Sequence, residues 1–186
     1  MRRPGLWLML MTLIMLAAGW PQPWLVVSEQ QPDGTFERRW AFPGRDGAHF
    51  AVRWQHSVEH EDWMETFVLD DGRTYVIESR FKTFGAGVPD GGEHSRLDQG
   101  WVVNDFHRQV DPLLVQAASR EHYRLRYGGC YFDMGVLGQA PVLRFQQQEL
   151  APVAVMGALW RPWQHRVNEP GAKIPGRERK DGKGAE

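Results

Sequence analysis

An all-β fold is what this sequence predicts: an antiparallel β-sandwich or partly open barrel of about 8–10 short strands, preceded by one N-terminal hydrophobic helix and followed by a disordered tail. Three observations predict it. After Pro23 the chain becomes a succession of short runs rich in β-branched and aromatic residues. Clusters of Pro, Asp and Gly separate those runs and supply turn chemistry. The best run alternates, with Phe50, Val52, Trp54 and Val58 on one parity and His49, Arg53, Gln55, Ser57 and Glu59 on the other, the two-residue period of a strand with one buried face.

At the N-terminus, Arg2 and Arg3 precede an apolar stretch from Leu6 to Ala18, and that charge pattern keeps the first residues cytoplasmic and exports the remainder of the chain. As a helix, residues 5–20 span about 24 Å at 1.5 Å per residue, short of the roughly 30 Å hydrocarbon core. The length fits a signal-peptide core, or a short inner-membrane anchor extended by Trp7, Trp20 and Trp24 as interfacial residues. A retained anchor is favoured because the segment lacks a clean small-residue cleavage pattern. Residues 1–23 are thus read as signal peptide or membrane anchor, and the localisation as periplasmic. The sandwich domain takes residues 24–150, with strands expected at Trp24 to Ser28, Thr35 to Phe42, His49 to Val58, Met64 to Leu69, Arg73 to Lys82, Trp101 to Asn104, Leu113 to Ala118, His122 to Tyr127 and Val142 to Gln147. Asp70-Asp71-Gly72 fits a tight hairpin, since Asp and Gly tolerate the positive φ such turns require. Residues 151–167 form an extension, a final strand or a short amphipathic element limited by Pro152 and Pro162; its Trp160, Trp163 and His165 either pack on the sheet or lie at the membrane interface. The tail, 168–186, lacks aromatics and reads as disordered.

Composition narrows the function classes. At 186 residues, 42% hydrophobic and 12% aromatic, the chain can build one genuine core. Twenty-two basic against 23 acidic residues give a formal net charge of −1, which leaves no electrostatic footprint for nucleic acid. The single cysteine, Cys130, excludes a disulfide within the chain and any multi-cysteine metal site; it reads as a small buried or half-buried residue. No metal or cofactor site is expected.

The densest chemistry lies between Trp54 and Pro89. On strand parity His56 falls on the apolar face, and Glu65 shares the parity of Trp63, Phe67 and Leu69, so an imidazole and a carboxylate both point to the buried side. A carboxylate accepting from the ring N–H would fix the tautomer of His56; the pair then either ties two strands together, or binds a ligand or partner, or supplies a base. Ser57 cannot serve as the nucleophile of His56, because consecutive strand residues face opposite sides. His56-Ser57-Val58-Glu59-His60 spells one zinc-protease pattern, but that chemistry needs a helix and these residues continue a strand pattern; His56, Glu59, His60, Glu61 and Asp62 offer adventitious metal binding at most. Phe84-Gly85-Ala86-Gly87-Val88-Pro89 lacks the Lys-Ser/Thr and helix start of a nucleotide loop. It turns a corner, or forms a nest of N–H groups that holds an anion beside Arg80 or Lys82. His56, Trp63, Glu65, Arg80, Gly85, Gly87 and Pro89 are therefore the candidate ligand or partner site. No catalytic residue is assigned.

Arg53-Trp54-Gln55-His56-Ser57-Val58-Glu59, Trp63 with Glu65, Glu78-Ser79-Arg80-Phe81, the Phe84 to Pro89 turn and Gly100-Trp101 closely resemble the bacterial family catalogued as domain of unknown function 1850, over roughly Trp24 to Phe145. The resemblance carries no biochemical activity. It implies a small envelope protein often encoded beside TRAP-type transporters of the TAXI class, hence an accessory protein that acts by contacting transporter subunits. The alternative is a domain that binds or senses a small organic anion, and the third reading is a metal-dependent or hydrolytic enzyme using His56 and Glu65.

Overall fold

Turn chemistry sets the register of this fold. At Asp71-Gly72, Gln99-Gly100 and Gly128-Gly129 both residues of a two-residue connection take positive φ, from 48° to 82°, the geometry that joins antiparallel strands without splaying them. The computed structural model describes residues 18–82 and 94–167, with positions 7, 9, 11, 12 and 15. The expected N-terminal helix lies largely outside these residues, and the Gly85 to Pro89 turn and the tail from Asn168 lie wholly outside them. No helix among the described residues is long and apolar enough to cross a membrane.

The strands are β1 (Gln22–Gln30), β2 (Phe36–Pro43), β3 (His49–Gln55), β4 (Asp62–Asp70), β5 (Arg73–Phe81), β6 (His94–Asp98), β7 (Trp101–Gln109), β8 (Leu113–Gln116), β9 (Arg124–Tyr127), β10 (Cys130–Asp133), β11 (Val142–Leu150) and β12 (Arg166–Val167). They form two antiparallel sheets, not a closed barrel: a four-stranded one in the order β2-β1-β11-β8, and an eight-stranded one in the order β12-β10-β9-β3-β4-β5-β7-β6.

The core lies between the sheets. From the smaller sheet come Leu25, Val27, Trp40, Phe42, Leu143 and Phe145; from the larger come Phe50, Val52, Phe67, Leu69, Val76, Leu125 and Phe132. Rings meet across the gap, with Phe50 5.6 Å from Phe145 and Phe42 5.1 Å from Phe132 between centroids, while Phe50 also stacks on its neighbour Phe67 within the larger sheet at 5.1 Å. The half-buried thiol of Cys130 packs at the edge of this cluster.

Three strands escape the sequence pattern, each for a physical reason. β6 reads His-Ser-Arg-Leu-Asp and is mostly exposed; it is an edge strand whose charge guards its open side, so it shows no apolar alternation. β10 is four residues with two consecutive buried aromatics, and β12 has only two residues. The expected strand from His49 stops at Gln55, because the His56 N–H turns inward to the Glu61 carbonyl at 2.8 Å. That from His122 starts at Arg124, because His122 is left-handed at φ 52°.

Residues 151–167 form part of the domain. Pro152 opens the helix α1 (Pro152–Trp160), where its missing N–H costs nothing, and a 3-10 turn covers Arg161–His165. Val155 and Ala158 bury against Trp24, Val26 and Ala41 on the outer face of the smaller sheet. Trp24 is therefore not an interfacial residue as its position suggested: it is 8% exposed, and its indole N–H donates to the Leu150 carbonyl at 2.9 Å.

Two glycines give opposite expectations. A Cβ on Gly44 would stand 2.1 Å from the Leu25 nitrogen, whereas one on Gly157 would meet nothing within 4 Å. Denaturant unfolding of the full chain should show Gly44→Ala losing about 1–3 kcal/mol or more as β2 is forced off β1. Gly157→Ala should gain about 0.5–1 kcal/mol by stiffening α1.

Candidate functional site

The β3–β4 hairpin builds the site. Phe50 opposes Phe67, Val52 opposes Glu65, and Trp54 opposes Trp63; directly opposed residues share a face, so all six point at the smaller sheet. Sequence parity placed Glu65 on this side with Trp63, Phe67 and Leu69, and there it lies. The row continues across the sheet, Glu65 opposing Ser79, Ser79 opposing Asn104, and Asn104 opposing Ser95. It is a polar line on an otherwise apolar face, and Ser95 Oγ donates to Asn104 Oδ1 at 2.7 Å.

His56 lies beyond the end of β3, in the turn that leads to β4. The His60 N–H donates back to the His56 carbonyl at 2.9 Å, and Gln55 Nε2 donates to the His60 carbonyl at 2.9 Å. Its ring stacks on Trp63 with centroids 4.6 Å apart and planes at 22°, and its Nδ1 pairs with Glu59 three residues on. The carboxylate partner of His56 is thus Glu59, because the turn folds back on itself and delivers Glu59 to the ring. No hydrogen bond joins His56 to Glu65 among the described residues. Nor do the acidic and histidine residues of this turn gather as a metal site: among the described residues, no group of three His, Cys, Asp or Glu side chains is placed to hold an ion.

Glu65 instead faces a cavity of about 780 Å³ that opens at the edge of the sandwich. Val52 and Phe67 form its floor, Leu113 and Val115 of β8 its far wall, and Ser119 to Glu121 its rim. Trp54 and Tyr123 close one side, stacked within 5° of parallel at 5.6 Å. Burial pushes the Glu65 carboxyl above its ordinary value, opposed by the charge of Arg108. Burial also pushes the Tyr123 phenol up to about 12, helped by the Glu121 and Glu65 carboxylates and by a hydrogen bond to Glu121. The floor and far wall are apolar, with a proton-hungry acid at the base and a second acid at the rim. A row of rings runs from the cavity along the inner face, Tyr123 to Trp54, Trp54 to Trp63 at 6.0 Å, and Trp63 to Phe81 at 5.2 Å.

Arg80 stands elsewhere. It opposes Met64, so it points away from Glu65, onto the outer face. There its Nε meets Glu78 Oε1 at 2.6 Å and its Nη1 meets Asp98 Oδ2 at 3.2 Å, while Arg96 bridges Glu78 to Asp105. The hydrogen bond to Glu78 is the main reason this guanidinium is held even more firmly protonated than usual. Of the expected site residues, the structure brings His56 into contact with Trp63, sets Glu65 one residue pair along the same face, and places Arg80 on the other side. Gly85, Gly87 and Pro89 lie outside the described residues.

Residues 50–134 match the family model described as Domain of unknown function (DUF1850). The match supports that family for this chain. It takes in every strand of the larger sheet except β12, together with β8, and so includes every residue of the cavity except Gln139 and Ala140. β1, β2 and β11 fall outside the DUF1850 segment, which is narrower than the resemblance read from the motifs. No curated protein and no solved structure matches the chain.

The cavity also uses residues that sequence reasoning passed over. Tyr123 comes after a left-handed residue and precedes a strand, so no periodicity marks its direction. β8 is a four-residue edge strand whose inward residues Leu113 and Val115 read as ordinary core.

The Glu65 shift predicts a pH dependence. The folded protein holds this proton more tightly than the unfolded chain, whose value is near 4.5. The penalty is therefore absent below that value and grows as pH rises through the window between it and the raised folded value. Thermal melts of the full chain should show Glu65→Gln above wild type at pH 7, by roughly 4 °C or less for each kcal/mol regained, with the gap closing towards pH 4.

Proposed function

We propose that this chain is a ligand-binding domain of the cell envelope, tethered on the periplasmic side of the inner membrane and serving a TRAP-type transporter of the TAXI class. The cavity over Glu65 is the observation that carries the ligand-binding part. Its volume lies within the range of small-molecule sites, and its floor offers a carboxylate that no hydrogen bond satisfies among the described residues. A group buried in this way favours a ligand that donates to it. Its lining favours a small organic cation or amine. An ammonium would pair with Glu65 and lie against the Trp54 and Tyr123 rings, and a cation near such rings gains about 0.5–2 kcal/mol. An organic anion finds less to hold it. Arg120 at the rim faces Glu121 at 3.7 Å, and Arg80 is committed to Glu78 and Asp98 on the other face. Enzymatic turnover finds less support still: the described cavity wall carries Ser119 and Tyr123 but no histidine beside them, and His56 is turned to Glu59.

The transporter half of the reading rests on the family resemblance and on the apolar, arginine-led N-terminus. It is tested by capturing the full-length protein from its native membrane in mild detergent and identifying the recovered transporter subunits. The ligand half is tested by calorimetric titration of the full-length protein with a set of small amines and matched carboxylic acids. Amines should bind at millimolar concentration or tighter, at least tenfold more weakly in Glu65→Gln, and the acids should not bind. Acid binding unchanged by Glu65→Gln would contradict this assignment and restore the organic-anion reading.

A further inference from the structure

We propose that the outer face of α1 lies on the surface of an anionic lipid bilayer and fixes the orientation of the sandwich above the membrane. The helix reads Pro-Val-Ala-Val-Met-Gly-Ala-Leu-Trp and carries no charged side chain. Val155 and Ala158 satisfy its inner side. Val153, Met156 and Trp160 fall together on the opposite side, three and four residues apart, and are 58%, 63% and 70% exposed. An apolar helix with one face buried and the other bare calls for a second apolar partner.

Chain continuity identifies that partner as the bilayer. The apolar N-terminal run ends at Trp20, itself 74% exposed, and Trp7, Met9, Met11 and Met15 before it are likewise exposed. β1 starts two residues later at Gln22, whose register partner is Leu150, two residues before α1. The Trp24 indole then pins the same junction to the Leu150 carbonyl and to α1. The apolar run and the bare helix face thus leave the fold at one place. A membrane that receives the first therefore passes within reach of the second.

Charge agrees with this placement. From Ala151 to Val167 there is no Asp or Glu, while Arg161, His165 and Arg166 come directly after the helix. Trp160 and Trp163 sit beside these bases, and tryptophan with arginine at the end of an apolar face is the composition that settles at the headgroup level. Anionic headgroups supply the complementary charge, which strengthens binding with each nearby base.

This inference rests on the anchored reading of residues 5–20, and the test separates the two. In a Cys130→Ala background, the full-length protein is labelled with an environment-sensitive dye at Met156→Cys or, as a control, at Leu97→Cys on edge strand β6, where Leu97 is 77% exposed. Each is reconstituted into phosphatidylcholine–phosphatidylglycerol vesicles carrying a quencher at the headgroup. Flotation tests the anchor alone. The expected result is that both proteins float and that the label at position 156 is quenched at least twofold more than that at 97. Proteins that float with equal, weak quenching at both positions overturn the helix placement while keeping the anchor. Failure to float overturns both, and equal shielding of position 156 in lipid-free detergent would assign the face to another protein surface instead.

Discussion

A four-stranded sheet cannot cover an eight-stranded one, and the rest of this structure depends on that inequality. With neighbouring strands roughly 4.8 Å apart, the larger sheet is about twice as wide as its partner. The smaller sheet spends its breadth on the aromatic core, where Trp40, Phe42 and Phe145 close over Phe132 and Phe50. Its last strand, β8, stands at the rim, with only β11 beside it. The inner face next to that edge must then be filled by side chains or left open. Trp54 and Tyr123 fill part of it and a cavity takes the remainder.

The inequality also explains how an ionisable group comes to sit among rings. Glu65 occupies a position that would be core if the sheets matched, between Trp63 and Phe67 on one strand. At the base of the open cavity it is desolvated without being sealed. That is an expensive place for a carboxylate, and strongly perturbed acids in clefts are candidate binding groups. His56 has a different role. It sits in the turn that closes the same hairpin, stacked on Trp63 and paired with Glu59, and so holds the turn that sets the spacing of β3 and β4.

Much of this was legible in the sequence, and the limits have physical causes. Alternation over residues 49–55, the Asp-Asp-Gly hairpin and the parity of Glu65 with Trp63, Phe67 and Leu69 all survive, because a strand with one buried face leaves a two-residue period in its residues. The pairing of His56 with Glu65 does not survive. Parity says which face a residue shares but not where the strand ends, and one backbone hydrogen bond from His56 to Glu61 moved the histidine into a turn. The ion pairs of Glu78 and Arg80 stayed hidden for another reason: both lie on the outer face, and their partners Arg96 and Asp98 come from β6, an exposed edge strand with no apolar alternation to reveal its register. Trp24 misled for a related reason: next to an apolar run it reads as a membrane residue, whereas the carbonyl and helix that claim it lie far along the chain.

The N-terminal run, Trp24, α1 and the cavity give one arrangement, with apolar surface at one junction of the fold and an open cleft over the family-matched sheet. Its central claim is that the Glu65 carboxyl faces an open cleft that a donor ligand fills. The most direct measurement is the titration of the Glu65 side-chain carbon by NMR in the full-length protein, with and without saturating amine. The account predicts a carboxyl that titrates above the ordinary glutamate value when free and falls when the amine is present, because an ammonium favours the charged form. A Glu65 that titrates at its ordinary value, and does not move when amine is added, would contradict it.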